Sequence, residues 1–244
     1  MMSACAVAKM FNTALIVVLI ATTTVFADRR SYVWTNEYQT MPQGKAELEY
    51  SLTTTVPDMH KYSDENIWEQ QAELEYGITD HWDVAIYQRW EQFNSSSEDK
   101  FEYDGSKLET RYRIGERGMF PLDTLLYLEY SKPDSSHEAG ELEGKLVLAR
   151  DFGKFNLAYN EIIAVDLDNE GETAHEYAAG LSYEFSPQWK AAIESTGSWT
   201  EGEYFVGPTV SWGTKAFWAN IGFLRGLNEA SDDLKVRLIV GIPF

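Results

Sequence analysis

Leu234-Lys235-Val236-Arg237-Leu238-Ile239-Val240-Gly241-Ile242-Pro243-Phe244 carries an apolar residue at every second position, from Leu234 through Val236, Leu238, Val240 and Ile242 to Phe244. Lys235, Arg237, Ile239, Gly241 and Pro243 fall between them. Side chains alternate across a β-strand, so this pattern is a strand with one apolar and one largely polar face. The same rule runs back through the chain. Ala46, Leu48, Tyr50, Leu52 and Val56 alternate with Lys45, Glu47, Glu49, Ser51 and Thr53. Ala72, Leu74, Tyr76 and Ile78 flank Glu73 and Glu75, and Leu108, Tyr112 and Ile114 flank Glu109, Arg111 and Arg113. No amphipathic helix of useful length interrupts the series.

The connections alternate as well. Tight turns are expected near 79–81, 115–118, 151–153, 186–188 and 213–214, and longer polar loops at 57–65, 92–104, 131–138, 166–175, 198–203 and 226–233. Two tight turns share a frame, Tyr76-x-x-Thr79-x-x-Trp82 and Tyr183-x-x-Ser186-x-x-Trp189, which brackets each turn with aromatics. Short turns at one end, longer loops at the other and aromatic belts at both are features of transmembrane β-barrels. Counting back from Phe244 gives about twelve strands. The fold expected is all-β, a transmembrane antiparallel up-and-down β-barrel over 44–244. A secreted β-sandwich is the competitor that alternation alone does not exclude.

Both chain ends add to this reading. Lys9, the apolar run Ala14 to Ala21 and Val25-Phe26-Ala27 have the layout of a secretory signal peptide, 1–27, with cleavage expected after Ala27. The apolar run is far shorter than the ~20 residues of a membrane-spanning helix. Cys5 lies inside that segment, so no thiol or disulfide is expected in the mature chain. Residues 28–43 form a separate extended segment, left open as a partial strand, a piece at the periplasmic mouth, or a piece inside the lumen. An alternating last strand closed by phenylalanine resembles the assembly signal of bacterial outer-membrane barrels, here Val240, Ile242 and Phe244. The resemblance implies a Gram-negative outer-membrane location, with lipid, lipopolysaccharide and the barrel-assembly machinery as partners. More narrowly, Glu73-Leu-Glu-Tyr-Gly-Ile-Thr-Asp-His-Trp-Asp-Val-Ala-Ile-Tyr87 and the last strand resemble small transporter-type and porin-like barrels of proteobacteria, including the phenol-degradation MetA-pathway type. That likeness implies passive transport of a small solute and brings no catalytic residues with it.

The charge narrows the function classes. A net −19, which becomes −20 once Lys9 is removed, argues against nucleic acid as a partner. With 44% hydrophobic and 14% aromatic residues, the charge does not signal disorder. In a barrel the polar face lines the interior, so lumen chemistry is read from it. Glu47 and Glu49 on the first strand, Glu73 and Glu75 on the second and Asp83 on the third fall at similar heights. The echo Ala-Glu-Leu-Glu-Tyr at 46–50 and 72–76 makes this plain. Like charges across a strand pair repel, so the group needs cations. Arg89, Arg111, Arg113, Lys235 and Arg237 are the candidates. Two readings follow: a salt-bridged plug, or an acidic wall facing a basic wall across open water.

The expected function is an outer-membrane channel or transporter for small polar or charged solutes, with modest cation preference and no cofactor. A closed structural or surface-interaction barrel is the alternative, and a rim enzyme, lipase or protease, is third. Asp166, Asp168 and Glu170 begin like a calcium loop, but its closing position would be Tyr177, so an acidic surface loop is preferred. No histidine pair has zinc spacing, and Ser136-His137 carries no further catalytic signature. Trp218 is the aromatic that alternation points inward.

Overall fold

The computed structural model describes residues 30–62, 65–95, 99–135, 139–167 and 171–244. The signal-peptide reading, Ser136-His137, Asp168 and Glu170 lie outside them. Twelve antiparallel strands follow one another round a single closed barrel. They are β1 (Ala46–Val56), β2 (Glu65–Thr79), β3 (Trp82–Ser95), β4 (Asp99–Ile114), β5 (Asp123–Pro133) and β6 (Glu141–Phe152). The second half is β7 (Phe155–Asp166), β8 (Thr173–Ser186), β9 (Trp189–Ser198), β10 (Glu203–Gly213), β11 (Trp218–Gly226) and β12 (Leu234–Pro243). Closure joins β1 to β12 in the register Leu48↔Ile242, Tyr50↔Val240 and Thr53↔Arg237. Phe244 completes the seam: its N–H donates to Ala46 O at 2.8 Å and its carbonyl accepts from Ala46 N at 3.1 Å. Closure leaves no strand edge unpaired, the condition for crossing a bilayer with strands.

The strand faces decide the solvent. Glu47, Glu49, Glu73, Glu75, Asp83, Glu109 and Arg111 are buried, whereas Leu48, Leu74, Ile86, Leu126, Leu128, Leu146, Leu181 and Ile193 are exposed on the outside. A soluble protein arranges these the other way round. Apolar outside with charge inside is stable only where hydrocarbon surrounds the barrel, and this closed topology rules out the sandwich. Aromatic clusters mark the two ends of the wall. Phe155, Tyr183 and Phe185 meet at 4.8 and 4.9 Å, and Trp189, Trp212 and Phe217 at 6.4 and 6.1 Å, next to the short turns. Tyr177, Trp199 and Tyr204 gather at 5.0 and 5.8 Å near the long loops.

One expectation is corrected. The stretch 92–104 is mostly paired strand, with the β3–β4 ladder reaching Asn94↔Asp99 across a register shift at Arg89/Trp90. Phe101 and Tyr103 do alternate with Lys100, Glu102 and Asp104, but the unbroken polar run from Asn94 to Lys100 reads as a loop and hides the ladder on either side of it. The lipid reading itself has a direct check. Leu128, 47% exposed in the middle of β5, faces the surroundings. Leu128→Arg is expected to cost ~2–4 kcal/mol in urea unfolding from lipid vesicles if it lies at the bilayer midplane. A change within error would place this face in water.

Candidate functional site in the lumen

Glu47 stands directly across from Glu75, and Glu49 from Glu73, in the β1–β2 register. Asp83 sits opposite Arg111 on β4. That pairing makes Arg111 the hub of the cluster. Its Nε donates to Asp83 Oδ1 at 3.0 Å and its Nη2 to Asp83 Oδ2 at 2.7 Å. Nη2 also pairs with Glu75, and Nε lies 3.3 Å from Glu109 Oε1. Trp218, fully buried and pointing inward, donates from Nε1 to Glu47 Oε2 at 3.0 Å.

The other basic candidates lie elsewhere. Arg89 pairs with Asp104 at 2.7 Å, and Arg113 bonds Asp80 O at the short-turn rim and stacks over Tyr38 at 5.4 Å. Lys235 lies 3.6 Å from Asp232 and over the Phe205 ring. Arg237 donates to Thr53 Oγ1 at 2.8 Å and lies over Trp34 at 5.7 Å. A second charged layer was not foreseen from the sequence: Lys107 with Glu129 at 2.7 Å, and Lys145 with Glu143 at 2.9 Å. These residues share the inward face of β4–β6, so alternation did hold their signal.

The chain ahead of β1 fills much of the remaining lumen. Residues 30–41 thread through it, and the wall supplies the partners for their backbone. Glu194 on β9 is the main anchor. Its carboxylate accepts from the N–H groups of Val33, Trp34 and Thr35, each at 2.9 Å. It also accepts the hydroxyls of Thr35 at 3.0 Å and Thr209 at 2.5 Å. Asn160 Oδ1 accepts from Asn36 N at 2.7 Å, and its Nδ2 donates to Asn36 O at 2.9 Å. Asp83 Oδ2 accepts from Met41 N at 2.7 Å. Tyr32 Oη donates to Asn156 O at 2.8 Å, and Tyr38 Oη to Gly115 O at 2.5 Å.

The wall is cut to receive this segment. Ala158, Ala178, Gly180, Ala192, Ser211 and Gly222 present small side chains, or none, to the interior of β7–β11. A Cβ on Gly180 would lie 2.4 Å from the Tyr32 ring, and one on Gly222 2.4 Å from Val33. Tyr32 and Tyr38 pack with Leu125, Tyr127, Val147 and Ala158 into a small apolar cluster inside the barrel.

Space remains on the long-loop side of the segment. A chamber of ≈230 Å³ is lined by Arg30, Trp34, Glu73, Tyr87, Lys145 and Arg237, among others. A second, ≈260 Å³, shares Trp34, Lys145 and Arg237 with it and reaches Glu176, Glu203 and Lys235. Beneath Arg30, among Glu47, Arg111 and Met41, only ≈20 Å³ is left. In this conformation the lumen is roomy towards the long loops and nearly shut towards the short turns. Among the described residues no group of three His, Cys, Asp or Glu is placed to hold a metal. His81 and His175 pair with Glu116 and Glu161.

No protein-family model matches the chain, and no curated protein matches it. Solved structures do. An outer-membrane channel from Pseudomonas putida F1 superposes with a TM-score of 0.67 at 11% identity, covering 87% of this chain and 100% of that one. The KdgM porin in complex with disordered oligogalacturonate gives 0.58 at 8% identity, over 82% and 99%. The NanC porin gives 0.51 at 10%, over 82% and 98%. The fold is that of outer-membrane barrels. At such identities the likeness extends to architecture and no further.

Proposed function

We propose that this protein is an outer-membrane channel for passive passage of small polar or charged solutes, with a modest cation preference, narrowed on its periplasmic side by residues 30–41. The observation that carries the reading is the pair of joined, charge-lined chambers above that segment. A barrel that serves only as a scaffold can be filled by its own side chains, whereas these charges face space large enough for water and a solute. Eight carboxylates and five basic side chains line the two chambers, so cations should be favoured. Twelve strands fall between barrels filled by side chains and those with a wide aqueous pore. Channels and porins among the structural neighbours agree with this reading. Export by the 1–27 signal and insertion through the Val240-Ile242-Phe244 strand complete the proposal.

Single-channel recording in planar bilayers tests it, with reversal potentials under a salt gradient. The expected result is steady current with cation preference, larger in a chain shortened to begin at residue 42. Anion preference would overturn the selectivity. Silence of both chains, with barrel folding verified by heat-modifiable gel migration, would make this a closed structural barrel.

A further inference from the structure

Two arginines serve the acidic layer, and they are held very differently. Arg111 grips Asp83 with two nitrogens at 3.0 and 2.7 Å and reaches Glu75 and Glu109 besides. Arg30, carried on the threaded segment, offers a single nitrogen, Nη2, to both Glu49 Oε2 at 3.1 Å and Glu73 Oε2 at 3.7 Å. Its side chain is 24% exposed, while those of Glu49 and Glu73 are 4% and 6% exposed. Glu73 Oε1 is buried and has no hydrogen-bond partner. A buried carboxylate oxygen without a donor is uncommon and costly, and it marks a place where a donor is wanted. Glu49, Glu73 and Arg30 all line the ≈230 Å³ chamber. A single water needs ~10–15 Å³ of such space, so the chamber has room for a solute of amino-acid size.

We propose that Glu49 and Glu73 form a binding site for the guanidinium head of a small cationic solute, and that Arg30 is a built-in occupant which the solute displaces. The inference rests on the channel reading above for its physiological sense, but not for its test. A free guanidinium is not tethered to the segment's geometry. It can present parallel N–H groups to both carboxylates, including the Glu73 oxygen that Arg30 leaves bare. Lys107 and Lys145, at 2.7 and 2.9 Å from Glu129 and Glu143, are already neutralised and do not compete for the pair.

The probe is agmatine, a guanidinium with no carboxylate, titrated calorimetrically into the detergent-solubilised protein, with arabinose as the uncharged control. Arg30→Gln removes the internal competitor and should tighten agmatine binding about tenfold. Glu73→Gln should weaken it about tenfold, the usual effect of losing a charged hydrogen-bond partner. Glu229→Gln, an exposed loop carboxylate, should change nothing, which separates the site from general attraction to an acidic protein. Equal affinity in wild type and Arg30→Gln overturns the proposal, as does full affinity in Glu73→Gln. Arg30 is not part of the barrel wall, so Arg30→Gln decides the matter even if a wall variant fails to fold. Agmatine binding as expected in a barrel that never conducts would leave the site standing and remove the channel. Conduction with no gain in Arg30→Gln would do the reverse.

Discussion

Replacing Arg111 by leucine is expected to destabilise the barrel more than any other single change in its wall, by about 3–5 kcal/mol. The reason is the number of carboxylates that depend on it. Asp83, Glu75 and Glu109 all reach this guanidinium, and all three are buried. Arg30 lies on the other side of the layer against Glu49 and Glu73, so it does not substitute. Removing one partner of a buried ionic group leaves the rest uncompensated, and that penalty exceeds what the group contributed when intact. Arg111→Lys should recover only part of the loss, because an ammonium cannot hold Asp83 with two parallel bonds. The measurement is the urea midpoint of the folded, heat-modifiable form in lipid vesicles. Arg89→Leu and Arg113→Leu serve as comparisons, since those arginines pair with Asp104 and the Asp80 carbonyl instead. A loss no larger for Arg111 than for these two would show that the cluster is hydrated and not held by its hub.

The contrast among these three arginines shows how far the sequence could be read. Arg111 and Arg113 share a face at two-residue spacing, and Arg89 lies inward on the neighbouring strand. Period two therefore put all three in the lumen, and only the register Asp83↔Arg111 says which one meets the acids. The Glu47↔Glu75 and Glu49↔Glu73 pairs were legible because the tight turn at 79–81 fixes the heights of β2 and β3, and the repeated motif fixes β1. Trp218 was legible for the same reason. Residues 32–40, Tyr-Val-Trp-Thr-Asn-Glu-Tyr-Gln-Thr, were not, because a chain whose backbone bonds to Glu194, Asn160 and Asp83 side chains has no ladder and no period. A signal for it exists in the opposite wall. Ala158, Ala178, Gly180, Ala192 and Gly222 leave half of the interior too empty for a barrel of this size unless something else enters it. Glu194, an inward carboxylate set among those small residues, marks where such a segment finds its backbone acceptor.

Glu194→Ala should raise the open time of the proposed channel about a hundredfold. The carboxylate collects three backbone N–H groups and two hydroxyls around Val33, Trp34 and Thr35, and 0% of Glu194 is exposed. Losing it leaves those N–H groups without acceptors while the segment is seated, yet costs nothing once they are released to water. The seated state alone is weakened. A loss of ~3 kcal/mol, modest for several charge-assisted bonds, shifts a seated-to-released equilibrium about a hundredfold. Glu194→Gln, which keeps the shape and one acceptor, should fall between. Gly180→Leu reaches the same end by volume, since its side chain would occupy the place of the Tyr32 ring, 2.4 Å from where a Cβ would stand. Two unrelated substitutions that both raise open time, in barrels of unchanged heat-modifiable migration, identify the segment as a releasable obstruction. If neither changes the current although both barrels fold, the segment is a fixed part of the wall and ions pass beside it.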